Sequence, residues 1–89
     1  MKHVMCAVRD SAVGSFMRPF FVAAAGSAVR AFGDEVARSD GPAEGRPMNA
    51  HPEDYELFEL GSFDDESGSV VMLDFSRSLA RGKDFVKES

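Results

Sequence analysis

Alternation begins within the first ten residues. Val4, Cys6 and Val8 alternate with His3, Met5 and Ala7, the period of a strand with two distinct faces. Asp10-Ser11 ends the run with turn chemistry. Ser15 to Val22 is rich in Phe16, Met17, Phe20, Phe21 and Val22, but Pro19 has no N–H to give to a ladder. That segment is predicted as an edge strand or a short extended piece. From Ala25 to Arg38 the period becomes helical: Ala25, Val29, Phe32 and Val36 form one apolar stripe, with Arg30, Asp34, Glu35 and Arg38 off it. Gly26 and Gly33 each weaken this helix by up to about 1 kcal/mol relative to Ala, and Ser27 offers a cap for a later start.

Residues 39–52 hold two Gly and three Pro with little apolar content, the composition of a flexible loop. Tyr55 to Phe63 and Ser69 to Phe75 read as two strands joined by the hairpin loop Asp64-Asp65-Glu66-Ser67-Gly68, where Gly68 supplies a positive φ. The tail from about residue 80 reads as loose, with Leu79, Phe85 and Val86 as its available anchors. The expected fold is a single α+β domain over residues 1–89: an antiparallel sheet of three to four strands, one helix on one face, in the order β-(β)-α-β-β.

One helix of this length covers one sheet face. The last two strands carry apolar residues on both parities: Tyr55, Leu57 and Phe63 against Phe58 and Leu60, and Val71, Leu73 and Phe75 against Val70 and Met72. A second apolar face needs a cover, and another copy of the chain is the simplest one. We therefore expect a homodimer whose interface draws on Tyr55, Leu57, Phe58, Leu60, Val70 and Met72. The alternative is that the tail folds over that face through Leu79 and Phe85.

With 89 residues there is room for one domain only, and 28% charged against 44% hydrophobic residues is ordinary for a globular chain. The net charge of −5 excludes a broadly basic nucleic-acid coat protein. The charge is uneven, however. Lys2, Arg9, Arg18 and Arg30 outnumber Asp10 in residues 1–33, whereas residues 34–66 hold eleven acids against Arg38 and Arg46. The basic ends remain open to a polyanion while the acidic middle repels it. The longest apolar run, Phe20 to Ala25, is far short of the roughly 20 residues a membrane-spanning helix needs, and no secretory signal is expected at Met1 to Asp10.

Catalytic chemistry is sparse. No phosphate-binding glycine loop, dinucleotide fingerprint or nucleophile elbow occurs. His51-Pro52-Glu53-Asp54 is a thin ligand set, better read as the approach to a strand, so no metal is expected. Cys6 alternates with Val4 and Val8 and reads as a buried, inert thiol. Asp64-Asp65 and Glu53-Asp54 are explained by turns and solubility. We expect no catalytic residue, no cofactor and no enzymatic activity. What stands out is basic residues interleaved with aromatics: Phe16-Met17-Arg18-Pro19-Phe20-Phe21, and Arg77, Arg81 and Lys83 ahead of Phe85. Single-stranded nucleic acid is held by such sets, phosphates on Arg or Lys and bases on rings. Most phenylalanines of a chain lacking Trp must be core; Phe16, after Gly14-Ser15, is the best exposed one. Arg30 either joins Arg18 on one surface or pairs with Asp34 one turn on.

Several strings occur together in order: Asp10-Ser11, Pro19-Phe20-Phe21, Ala28-Val29-Arg30-Ala31-Phe32, and His51-Pro52-Glu53-Asp54-Tyr55-Glu56-Leu57-Phe58-Glu59-Leu60-Gly61-Ser62-Phe63-Asp64. In these the chain resembles the small nonstructural proteins of gokushoviruses, Microviridae bacteriophages with circular single-stranded DNA genomes. The resemblance spans roughly residues 3–79. Where members of that family often carry Lys after the Asp-Ser pair and Thr before the helix, this chain has Ala12 and Ala24, which removes one basic contact and one cap. The resemblance implies a nonenzymatic accessory to genome replication or packaging, acting in the host bacterial cytoplasm during infection and not in the mature virion. On this view Arg9, Phe16, Arg18, Arg30, Arg77, Arg81 and Lys83 bind viral single-stranded DNA. The competing expectation is an acidic adaptor that recruits or inhibits phage or host replication proteins without touching DNA.

Overall fold

Four consecutive residues of the first strand, Met5 to Val8, are buried. A strand buried on both faces must sit inside a sheet and be covered on each side. In a computed structural model of the chain, which describes residues 1–37 and 47–86, β1 (Lys2–Asp10) occupies that position. Along one edge it pairs antiparallel with β4 (Tyr55–Asp64), from Lys2 opposite Asp64 to Asp10 opposite Tyr55. Its other edge is shared by two short strands. β2 (Ser15–Phe16) pairs beside Arg9 and Asp10, and β3 (Phe20–Val22) beside Val4 to Cys6. The segment predicted as one extended piece is thus two strands, interrupted at Met17-Arg18-Pro19, where Pro19 has no N–H to donate. β5 (Ser69–Arg81) lies on the outer side of β4 and ends the sheet, which has five antiparallel strands among the described residues.

The helix α1 (Ala25–Ala37) covers one face. Its buried stripe is Ala28, Phe32 and Val36, which meet Cys6 and Val8 of β1 and Tyr55 and Leu57 of β4. The stripe is rotated slightly from the expected one, since Ala25 and Val29 are only half-buried. Burying Phe32 alone contributes about 1.5–3 kcal/mol. The helix starts at Ala25, so Ser27 is inside it rather than its cap. The hairpin turn closes as expected, with Gly68 at φ 74° and its N–H donating to the Asp64 carbonyl at 2.7 Å.

Two expected loose regions contribute to this core. Within the predicted loop 39–52, residues 39–46 lie outside the described residues. Residues 47–50 form a single helical turn, α2 (Pro47–Ala50), and Met48 packs against the cluster. The chain after residue 80 forms a 3₁₀ turn, Gly82–Phe85, and the Phe85 ring stands edge-on to Phe32 at 5.9 Å. Leu79 and Phe85 therefore pack on the helix side of the sheet, so the tail as described, to residue 86, does not cover the other face.

Two of the residues expected at a dimer interface are corrected here. Tyr55 is 7% exposed and Leu57 0%, because both point under α1 into the monomer's own core. They pair with Asp10 and Val8, even positions on the helix side of β1, and a β-bulge separates them from Phe63, which shares their parity in the sequence. Cys6 pairs with Glu59 but Met5 pairs with Gly61, so Leu60 is an extra residue that reverses the parity of β4. Phe58, opposite Ala7, and Phe63, opposite His3, consequently share the face away from the helix. Leu60, in the bulge, is half-buried, as is Phe58, whereas Val70 and Met72 are exposed.

Candidate nucleic-acid interface

The sheet face opposite α1 is built from the odd positions of β1 and their neighbours. Register places Phe63 beside His3, Phe21 and Gly61 on either side of Met5, Phe58 beside Ala7, and Phe16 and Glu56 on either side of Arg9. Val70 and Met72 of β5 extend the same face beyond Phe63 and Gly61. Two pairs of rings close over the strand. Phe16 and Phe58 meet edge-to-face at 5.6 Å, and Phe21 and Phe63 meet at 5.7 Å, with the His3 ring 6.3 Å from Phe63. Beneath this face, which no described helix covers, Ala7 is completely buried and Met5 nearly so.

The rings do this without being buried themselves: Phe16 remains 44% exposed and Phe21 50%. An aromatic side chain presents roughly 150–250 Å², so each of these leaves about 100 Å² in water, and burial of that area would stabilise by about 2–3 kcal/mol per ring. Together with Val70 and Met72 they make an open apolar face of a size that monomeric proteins rarely leave without a partner.

Charge is concentrated at one end of this face. Arg9, Glu56 and Arg81 form a row across β1, β4 and β5. Glu56 accepts a hydrogen bond from Ser78 Oγ and lies 3.9 Å from Arg81 Nε. With Lys83, Ser11, Glu53, Asp54 and Tyr55 these residues line a shallow cavity. Its three cations are offset by three carboxylates, so it is mixed in charge rather than a strong anion trap.

The seven residues expected to bind DNA therefore separate. Arg9, Arg81 and Lys83 come together at the end of the open face, and Phe16 lies on that face. Arg18 is exposed in the β2–β3 connection at the sheet edge. Arg30 is exposed on α1, on the opposite side of the sheet, and Arg77 is bound at 3.1 Å to Glu59, which pairs with Cys6 of the helix side. Arg18 and Arg30 thus do not share the aromatic face. Among the described residues no ion pair joins Arg30 to Asp34 either. Sequence reasoning missed Phe21 and Phe63 as surface rings. The available signal was their pairing with odd β1 positions, which for Phe63 the bulge at Leu60 concealed.

Other titratable groups are accounted for by the fold. Burial, reinforced by the Glu59 charge, pushes the Cys6 thiol up, which suits an inert core thiol. Burial, reinforced by the nearby Asp10 carboxylate, raises the Tyr55 phenol above its ordinary value. His51, Glu53 and Asp54 can each bring one ligand atom within 4.8 Å of the others. Their turn also has a structural role, because the Asp54 carbonyl accepts from both the N–H and Oγ of Ser11 and so ties the β1–β2 turn to the start of β4. At the far end, Met1's ammonium and His3 Nε2 both donate to the Asp65 carboxylate at 2.8 Å, clamping β1 to the hairpin tip.

No described helix is long and apolar enough to cross a membrane. No curated protein and no solved structure matches the chain. A family model does match, over residues 3–85, from the start of the ring-bearing face at His3 to the ring of Phe85 that closes the core. That match covers the helix and all of the sheet but its first residue, Lys2, and the chain belongs to the family it describes, the phage ORF5 proteins.

Proposed function

We propose that this phage protein is a nonenzymatic accessory that binds single-stranded DNA on the open face of its sheet. The observation that carries the proposal is the pair of half-exposed rings, Phe16 and Phe21, set on Phe58 and Phe63, with Arg9, Arg81 and Lys83 at one end. Bases stack on rings of this kind without regard to sequence, at about 1–3 kcal/mol per base, while the cations hold phosphates. Arg18, at the edge beside Phe16, lies where a strand leaving the rings would pass. The lineage is part of the proposal: the string from His51 to Asp64 supports a small nonstructural protein of a gokushovirus-type Microviridae phage, working in the host cytoplasm during genome replication or packaging and absent from the virion.

The mixed charge makes the proposal quantitative. With two or three phosphate contacts, the log–log salt slope on single strands is about −1.4 to −2.1, far shallower than for a basic protein. Fluorescence anisotropy of a labelled oligothymidylate, titrated between about 50 and 200 mM salt, measures it. Phe16→Ala and Phe21→Ala are each expected to weaken binding about 5- to 100-fold with far-UV circular dichroism unchanged. Absence of binding to single or duplex DNA at low salt would overturn the proposal. It would leave the acidic adaptor, whose net charge of −5 disfavours polyanions, as the reading to pursue.

A further inference from the structure

β5 is the outermost strand of the sheet, thirteen residues long, and no described strand pairs with its outer edge. Val70, Val71, Met72, Leu73 and Phe75 are all exposed, Val71 at 63% and Phe75 at 87%. Natural sheets protect such edges with charges, prolines or bulges. Here the protection is confined to the second half, where Arg77 is held by Glu59, Arg81 by Glu56, and four residues, Leu73 to Ser76, bulge opposite Leu60 alone. From Ser69 to Leu73 there is no charge and no proline.

We propose that a second copy of this chain pairs antiparallel with this edge, about a two-fold axis at Val71. The register follows from symmetry. Two identical antiparallel edges are related by an axis perpendicular to the sheet, which keeps each side chain on its own face. Paired residues point to the same face, so one residue must lie opposite its own copy. Centring on Met72 would put Asp74 opposite the partner's Val70, and centring on Val70 would pair Leu73 with the partner's Ser67 in the turn. Centring on Val71 joins Val70 to the partner's Met72 twice on the open face and Val71 to the partner's Val71 on the other. Apolar and β-branched pairs of this kind stabilise a ladder.

Charge agrees with that register. Val71 is level with Ser62, and Arg77 is level with Glu59, three positions to one side of the axis. The acidic turn Asp64-Asp65-Glu66 begins two positions to the other side, level with Ser69. The two-fold therefore brings each copy's Arg77 alongside the other's acidic turn. The exposed parts of the five side chains amount to several hundred Å², below the roughly 800 Å² per partner of a standard interface, which places this pairing in the size class of small, transient contacts.

Sedimentation equilibrium of the intact chain, without DNA, up to about 100 μM tests this. The expected mass rises to twice 9.7 kDa. Val71→Lys sets two ammonium groups against each other across the axis and yields a folded monomer, as circular dichroism will report. Val71→Cys, oxidised by glutathione disulfide, gives a covalent dimer, whereas Leu73→Cys, opposite the partner's Ser69, does not. A monomer at the highest concentration overturns the proposal. So does a dimer indifferent to Val71→Lys, or equal cross-linking through Leu73→Cys. Because DNA is absent throughout, none of these outcomes depends on the nucleic-acid proposal.

Discussion

Gly33 sits in the middle of α1, and intrinsic propensity alone says that Gly33→Ala should stabilise the helix by about 1 kcal/mol. The structure reverses the sign. A Cβ built at Gly33 would lie 2.6 Å from Cε1 and 2.7 Å from Cδ1 of Phe85. That ring also makes an edge-on contact with Phe32 and packs against the core cluster, so swinging it aside would give up those contacts. Forcing a methyl into such a site costs about 1–3 kcal/mol. The net expectation is a loss of about 1 kcal/mol. Removing the ring removes the obstacle: in a Phe85→Ala background, Gly33→Ala should recover the helical gain and stabilise by up to about 1 kcal/mol. The two residues then couple by about 2 kcal/mol, within the range for groups in contact. Urea unfolding followed by circular dichroism, at one fixed protein concentration for all four variants, resolves this as midpoint shifts of about 0.5–1 M. A stabilising Gly33→Ala in the parent would show that Phe85 does not rest on the helix, and would refute the placement of the C-terminal turn.

Two further substitutions probe other joints. A Cβ at Gly61 would run into the carbonyl oxygen of Val71 and crowd Met72 Cα, so Gly61→Ala must push β5 off β4. We expect a loss of several kcal/mol and faster amide exchange in Ser69 to Met72, and parent-like exchange there would be inconsistent with the register. At the clamp, hydrogen bonds from the Met1 ammonium and then His3 hold the Asp65 carboxyl below its ordinary value, and Asp65 in turn raises the Met1 ammonium. A lowered carboxyl gives stability that is lost as pH falls through its folded value, and a raised ammonium gives stability that is lost as pH rises above its ordinary value. The clamp is thus complete between about pH 4 and 8 and weakens on both sides. Asp65→Asn should lower the melting temperature at about pH 6, and the deficit should shrink as pH falls through the parent carboxyl's lowered value; a deficit that acidification leaves unchanged would show that the carboxylate charge is irrelevant.

The strands and the helix were legible because each follows its own period, 2 in Val4 to Val8 and 3.6 in Ala25, Val29, Phe32 and Val36, although the buried stripe of the helix is rotated to include Ala28. Gly68 was legible because a hairpin turn needs a positive φ there. What failed was the assignment of faces in β4. Counting parity from Tyr55 to Phe63 assumes an unbroken pleat, and one extra residue at Leu60 invalidates the count for everything beyond it. The count placed Tyr55, Leu57 and Phe63 on one parity, whereas the extra residue leaves Tyr55 and Leu57 under α1 and turns Phe63 to the open face. The arginines failed for a different reason. Arg18 and Arg30 are twelve residues apart in sequence, but a strand and a layer change intervene, and charge patterning carries no information about which side of a sheet a helix takes. Phe85 and Met48 were underrated because single anchors in polar stretches have no period to reveal them.

The open face and the β5 edge bear on one another through the direction of the symmetry axis. An axis perpendicular to the sheet leaves both aromatic faces on the same side, as one continuous surface of two platforms. Each platform offers two rings and about three cations, which makes a single copy a weak binder: two stacked bases supply only about 2–6 kcal/mol before any cost of ordering the strand. Two linked platforms bind a ligand that reaches both with an avidity greater by about 10²–10⁴. The two-fold also runs the platforms in opposite directions, so a strand must turn back on itself to occupy both in the same polarity. An oligothymidylate of about eight nucleotides, within the usual site size of one binding module, should therefore bind the parent and the Val71→Lys monomer equally. A strand of about 40 nucleotides, long enough to double back, should bind the parent at least 10²-fold more tightly than the monomer. If the short strand also loses affinity in Val71→Lys, the β5 edge itself contacts DNA. If the long strand gains nothing from the dimer, the two faces do not act on one strand, and the aromatic surface serves each copy alone.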